Sequence, residues 1–199
     1  YARGDLKTEN ADNLLRRLLA EAPVQLRSNT VALVGRLLYP YREEGQTLPD
    51  EIPRRLQTLW DWYWPNVGSK DPEPSRELFG DWYLSRCFDR SWALERLAQY
   101  VERVPLPEPE GDLLEGVAAD VDIDVGRAFR IADTMARADN EGWRIRGWEA
   151  AFRPILAAAL ASPAHHRMAL DLLDYLGRHG LWNLGDLLER GEAGGGADS

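Results

Sequence analysis

The sequence predicts an all-α fold built from short antiparallel helix pairs. Apolar residues recur at helical spacing along most of the 199 residues. The links between these stretches are short and marked by Pro, Gly or Asp. No sustained alternation of β-branched residues competes for a strand assignment. The clearest instance is Asn140–Leu188, NEGWRIRGWEAAFRPILAAALASPAHHRMALDLLDYLGRHGLWNLGDLL. It holds two apolar-periodic helices, a punctuated link and a Gly-marked stop.

From the N-terminus, Leu14, Leu15, Leu18 and Leu19 predict a helix over Asn10–Glu21, ended by Pro23. A second runs from an N-cap at Ser28 to Tyr39, with Val31, Val34, Leu37 and Leu38 on one face and Pro40 as its stop. Asp50 caps a third, carrying Ile52, Leu56, Leu59, Trp60 and Tyr63 and closed by Pro65. The loop NVGSKDPEP (Asn66–Pro74) follows. Ser75 opens a fourth helix reaching Phe88, and Asp89 caps a fifth through Trp92, Leu97 and Val104. PLPEPEGD (Pro105–Asp112), with three prolines, reads as an extended linker. Beyond it lie a short helix over Leu113–Ala119 and one over Asp124–Ala136, whose inner stripe is Val125, Phe129, Ala132 and Met135. Helices over Arg146–Leu160 and Pro163–Leu176 come next, the latter ended by Gly177 or Gly180 in a left-handed cap. A last one covers Leu184–Glu189. The expectation is a single domain over residues 1–190 with a sub-boundary at 105–112, and a disordered Gly-rich tail over 191–199. With no Met at its start, the chain reads as a piece of something longer.

Composition excludes several classes. The net charge is −9, which opposes binding to nucleic-acid backbones. No apolar run is long enough for a membrane span, and no signal peptide opens the chain. One cysteine, Cys87, rules out an internal disulfide and suits a reducing cytoplasm. The basic residues are arginines except Lys7 and Lys70; this reads first as codon bias in a GC-rich genome, and alternatively as a surface tuned for bidentate contacts with carboxylate or phosphate.

Three segments carry a family resemblance: FGDWYLSRCFDRSWALERL (Phe79–Leu97), NEGWRIRGWEAAFRPILAAAL (Asn140–Leu160) and DLLDYLGRHGLWNLGDLL (Asp171–Leu188). Together they resemble the C-terminal helical region of bacterial multidomain proteins of the STAND-NTPase and anti-phage-defence type. The resemblance implies a HEAT-like right-handed superhelix, an α-solenoid of about ten helices, that supports or senses. It also implies a cytoplasmic bacterial protein. No GxxxxGK[ST] phosphate loop is present, so any nucleotide-binding part lies outside this chain.

The candidate site is GWRIRGW. In an extended link, Arg144, Arg146 and Trp148 share one side, and with Trp143 they form an Arg/Trp patch of the kind enriched in binding hot spots. The bland reading makes Trp143 and Trp148 core anchors beneath solvated arginines. Trp62 is a fifth candidate. Trp60 and Trp64 share a helix face and read as core, whereas Trp62 points away from it. No cofactor or metal is expected. His165, His166 and His179 lack ligand spacing, and Asp120, Asp122 and Asp124 lack the Gly and Glu of a calcium loop. Cys87 lacks a nucleophile signature. The favoured reading is a non-enzymatic scaffold that recognises a protein or another domain of its own polypeptide, without nucleic acid or membrane. The alternative is an acidic, Trp-rich carbohydrate-active enzyme or carbohydrate-binding domain, using tryptophan platforms and carboxylate pairs such as Glu43/Glu44 and Glu108/Glu110.

Overall fold

The computed structural model describes residues 8–43 and 48–188, and the tail at 191–199 lies outside them. The fold is all-α, with no strand among the described residues. None of the described helices is long and apolar enough to cross a membrane. The helices are α1 (Thr8–Glu21), α2 (Val24–Glu43), α3 (Glu51–Asn66), α4 (Gly80–Leu84), α5 (Arg90–Val101), α6 (Glu110–Ala119), α7 (Val125–Ala138), α8 (Glu149–Ala161) and α9 (His166–Arg178). Short 3₁₀ turns occupy Gly68–Lys70, Ile145–Trp148 and Trp182–Leu184. The chain divides into two compact units between Asp89 and Arg90, and the proline-rich stretch 105–112 lies inside the second.

The first unit is organised by aromatic rings. α2 packs on α4, and α1 on α2 and α3. Trp60 and Trp64 sit one turn apart on α3 and stack at 5.7 Å and 8°. Trp60 also meets Phe79 at 4.3 Å and Trp82 at 5.5 Å, and Trp82 stacks on Phe88 at 5.6 Å. The Trp82 indole donates to the Val31 carbonyl at 2.9 Å, so its polar edge is satisfied inside the core. It can lie this close to α2 because residue 35 is glycine: a Cβ there would fall 2.6 Å from Trp82 Cδ1. Four sequence expectations change in this unit. Asp50 precedes α3 but makes no side-chain cap bond. The helix expected over Ser75–Phe88 is only α4. It ends where Arg86 adopts a left-handed φ of 59°, a turn that places Phe88 against Trp82. Pro40 does not stop α2, and Pro65 lies within α3, each near its helix's C-terminal end. Ser28 is not a cap but a buried residue inside α2.

Next to the aromatic cluster lies a buried ion pair. Asp71, 1% exposed, accepts from the guanidinium of Arg27 on α2. The Tyr63 hydroxyl is also enclosed here. Burial, with the Asp71 carboxylate second, pushes its pKa up from 10.0 to about 12.

The second unit is a two-layer stack. α5 packs on α7 and α7 on α9, while α6 packs on α8. α6 also meets α7, α7 meets α8, and α8 meets α9. Each of these helices therefore touches its neighbour in sequence or the next but one. The inner stripe of α7 is Ala128, Phe129, Ile131, Ala132, Met135 and Ala136. Phe129, Ala132 and Met135 are buried as the periodicity predicts, whereas Val125 is only partly so. Asp124 is the expected N-cap: its Oδ1 accepts from the Arg127 amide at 2.9 Å. Asp120, which ends α6, is buried and takes both Nε and Nη2 of Arg90 at the start of α5.

Two measurements test the first unit. Gly35→Ala is expected to lower stability in urea by about 1–3 kcal/mol, as overpacking against a fixed ring does. An unchanged midpoint would place Trp82 away from α2. The raised Tyr63 pKa favours the neutral hydroxyl in the fold, so this contribution is complete below pH 10 and is lost as pH climbs toward 12. Wild-type stability should fall relative to Tyr63→Phe across that window, by on the order of 2–3 kcal/mol. Parallel profiles would contradict it.

Candidate functional site

The loop from Asp139 to Trp148 is built around one carboxylate. Asp139 ends α7 and is 3% exposed. Its Oδ2 accepts from the amides of Arg144 at 2.8 Å and Ile145 at 3.0 Å. These bonds bend the chain back after α7 and start the 3₁₀ turn Ile145–Trp148, which leads into α8. The link is therefore coiled and not extended, and the four candidates separate. Trp148 is 6% exposed, against Phe152 at 6.3 Å, and acts as an anchor. Trp143 is 73% exposed. The Arg146 guanidinium lies over its ring, 5.6 Å from the centroid. Arg144 reaches the other way, to Glu110 at the start of α6, at 2.9 Å. The expectation that Arg144, Arg146 and Trp148 share a side fails, because it required an extended backbone.

The end of α9 completes this corner. The Leu181 amide bonds the Leu176 carbonyl, and the Gly180 amide bonds that of Gly177, both at 3.0 Å. Gly180 has φ +98°, so α9 ends in a Schellman cap with Gly180 in the left-handed position. Leu181 and Leu176 are both buried beneath it. The bare Gly180 backbone is also where Arg146 rests: a Cβ there would be 3.4 Å from Arg146 Nε. Gly142, at φ +69°, lies equally close to the His179 ring. The loop after α7 and the cap of α9 thus fit together through two glycines.

Trp182 follows two residues after Gly180, within about 7 Å of chain, and is 75% exposed. Its segment is held by Arg153, which bonds both Asp186 carboxylate oxygens at 2.8 Å and the Asn183 carbonyl at 2.7 Å. Sequence reasoning missed Trp182 by assigning it to the closure of the stack. It also passed over Asp139, although D-N-E-G after a helix is a turn signal.

The remaining candidates are placed as follows. Trp62 lies in the first unit, half-buried, with the Arg16 guanidinium 5.8 Å above its ring. His179 Nδ1 bonds the Tyr175 carbonyl at 2.8 Å and His166 Nδ1 that of Leu160 at 2.7 Å, while His165 Nδ1 meets Ser162 Oγ at 3.0 Å. No group of metal-ligating side chains forms among the described residues. Burial pushes the Cys87 thiol above its usual range, away from the nucleophilic thiolate. Asp120 and Asp124 have structural partners, Glu110 bonds Arg144, and Glu44 lies outside the described residues.

No family model matches the chain, and neither the curated proteins nor the solved structures contain a match.

Asp139→Ala leaves the buried Ile145 amide and the part-buried Arg144 amide without their acceptor. It is expected to lower stability by about 2–3 kcal/mol and to speed amide exchange at Arg144 and Ile145. Asp139→Asn, which keeps an acceptor oxygen, should recover part of the loss. Unchanged exchange at both amides would show that Asp139 does not hold the loop.

Proposed function

We propose that this chain is a non-enzymatic helical recognition module that binds a protein, or another domain of its own polypeptide, through the corner formed by Trp143, Arg146 and Trp182. The observation that carries the reading is two tryptophans, 73% and 75% exposed, on backbone held by buried or charged partners. Exposing so much indole stabilises nothing in the isolated chain, whereas Trp and Arg dominate binding energy once an interface forms. Arg146 already lies over Trp143, so the pair presents an apolar face with a cationic rim. A partner that fits carries an apolar pocket flanked by a carboxylate.

In this reading the second unit is a stretch of HEAT-like right-handed superhelix. Packing between sequence neighbours and next neighbours supports it, because that is how helix-pair arrays bury their core. The resemblance of the three segments is what supports reading the module as part of a bacterial signalling or defence protein of the cytoplasm. Exposed tryptophans are also platforms on which sugars stack, which keeps a carbohydrate-binding role as the second reading.

The test compares wild type with Trp143→Ala/Trp182→Ala in quantitative affinity capture and on a glycan array. The double variant should keep the wild-type melting temperature, since each surface change alters stability by less than about 0.5 kcal/mol. It should lose a specific protein partner. Trp148→Ala, by contrast, should destabilise by about 3–5 kcal/mol. A double variant that retains every protein partner overturns the reading, and defined glycan binding lost with it establishes the second one.

A further inference from the structure

The first unit holds a cationic cleft in a chain whose net charge is −9. The cleft opens between α1 and α3, has a volume of about 250 Å³, and is lined by Asp12, Arg16, Arg54, Arg55, Thr58 and Leu59. Arg55 bonds Asp12 at 2.8 Å and ties α3 to α1. Among the described lining residues, three guanidiniums stand against one carboxylate, a surplus of two positive charges. Among the described residues no carboxylate pairs with Arg16 or Arg54. Arg16 Nε is shut off from solvent and has no hydrogen-bond partner. Its guanidinium is held by the face of Trp62. Burying that donor is unfavourable, and Arg16 as a whole is only partly buried where it lines the cleft.

We propose that this α1–α3 cleft binds a small phosphorylated ligand, with Arg16 and Arg54 holding its phosphoryl group. The forked donors of arginine match phosphate and carboxylate oxygens in pairs, and the twofold positive surplus matches a phosphate dianion. The Thr58 hydroxyl spends its proton on the Arg54 carbonyl at 2.9 Å, so toward the cleft it offers only acceptor lone pairs, which suit a hydroxyl on the ligand's organic part and not the phosphoryl dianion. A small apolar notch lined by Ile52, Arg55, Leu56 and Leu59 shares two residues with the cleft and receives a short apolar group beside the phosphate. The volume lies below the range of about 300–1,000 Å³ that holds drug-sized molecules, which limits the ligand to a small monoester. The cleft and the Trp143 corner belong to different units, so either reading can fail alone.

The experiment titrates the intact chain with inorganic phosphate, and separately with succinate, at physiological salt. It follows the arginine Nε–Hε resonances by NMR. Phosphate should produce a saturable shift of the Arg16 signal, and Arg54→Gln should weaken binding at least about tenfold. Arg36→Gln, at an exposed arginine paired with Glu77, should leave it unchanged. Arg16→Gln should act like Arg54→Gln, and if it unfolds the unit, the exposed Arg54 variant carries the test alone. No saturable shift up to tens of millimolar phosphate, or equal affinity in the Arg54 variant, overturns the proposal. Succinate binding as tightly as phosphate makes this a carboxylate site and overturns the phosphoryl assignment.

Discussion

Among the described residues, the charged side chains buried by this fold are Asp71, Asp120 and Asp139, and each stands at the C-terminal end of a helical segment. A carboxylate there faces the negative pole of the helix and loses hydration as well. The position is tenable only because a donor from outside the helical segment arrives to meet it. Asp71 receives Arg27 from α2, Asp120 receives Arg90 from α5, and Asp139 receives the amides of the following loop. Helix termination and tertiary packing are therefore coupled in this chain. A loop closed in the wrong place would leave a bare carboxylate in a low-dielectric interior, a mistake worth several kcal/mol.

Local pattern made most helices legible. α5, α7 and α9 lie within a few residues of the spans their apolar spacing predicts, with Asp124 as the cap of α7 and Gly180 as the stop of α9. The segment before α5 was not legible, because its apolar residues serve ring-to-ring contacts that no period describes. Phe79, Trp82 and Phe88 read as one helical stripe, yet reach the same cluster from a short helix and a left-handed turn at Arg86. The prolines misled for a related reason. Near a helix's C-terminal end, packing of the preceding turns outweighs one missing amide bond.

The site was half legible. Composition pointed to GWRIRGW, but the roles of its two tryptophans depend on a turn that Asp139 imposes from outside the motif. Trp148 became core and Trp143 surface. Trp182 was hidden by its neighbours Leu181 and Leu184, both buried, which gave its segment the look of an interior element. Only the left-handed cap at Gly180 reveals that the chain has reversed and turned the indole outward.

The glycine contacts at this corner separate what can vary from what cannot. Gly142 and Gly180 occupy backbone conformations that other residues adopt at a penalty, and each lies against a side chain of the opposing segment. Those positions resist replacement whatever the protein binds. Trp143, Arg146 and Trp182 project outward from that frame and contribute little to it, so selection is free to exchange them. Changes at those three outward positions leave the glycines beneath undisturbed, so the backbone of the corner holds its form whatever side chains its surface carries.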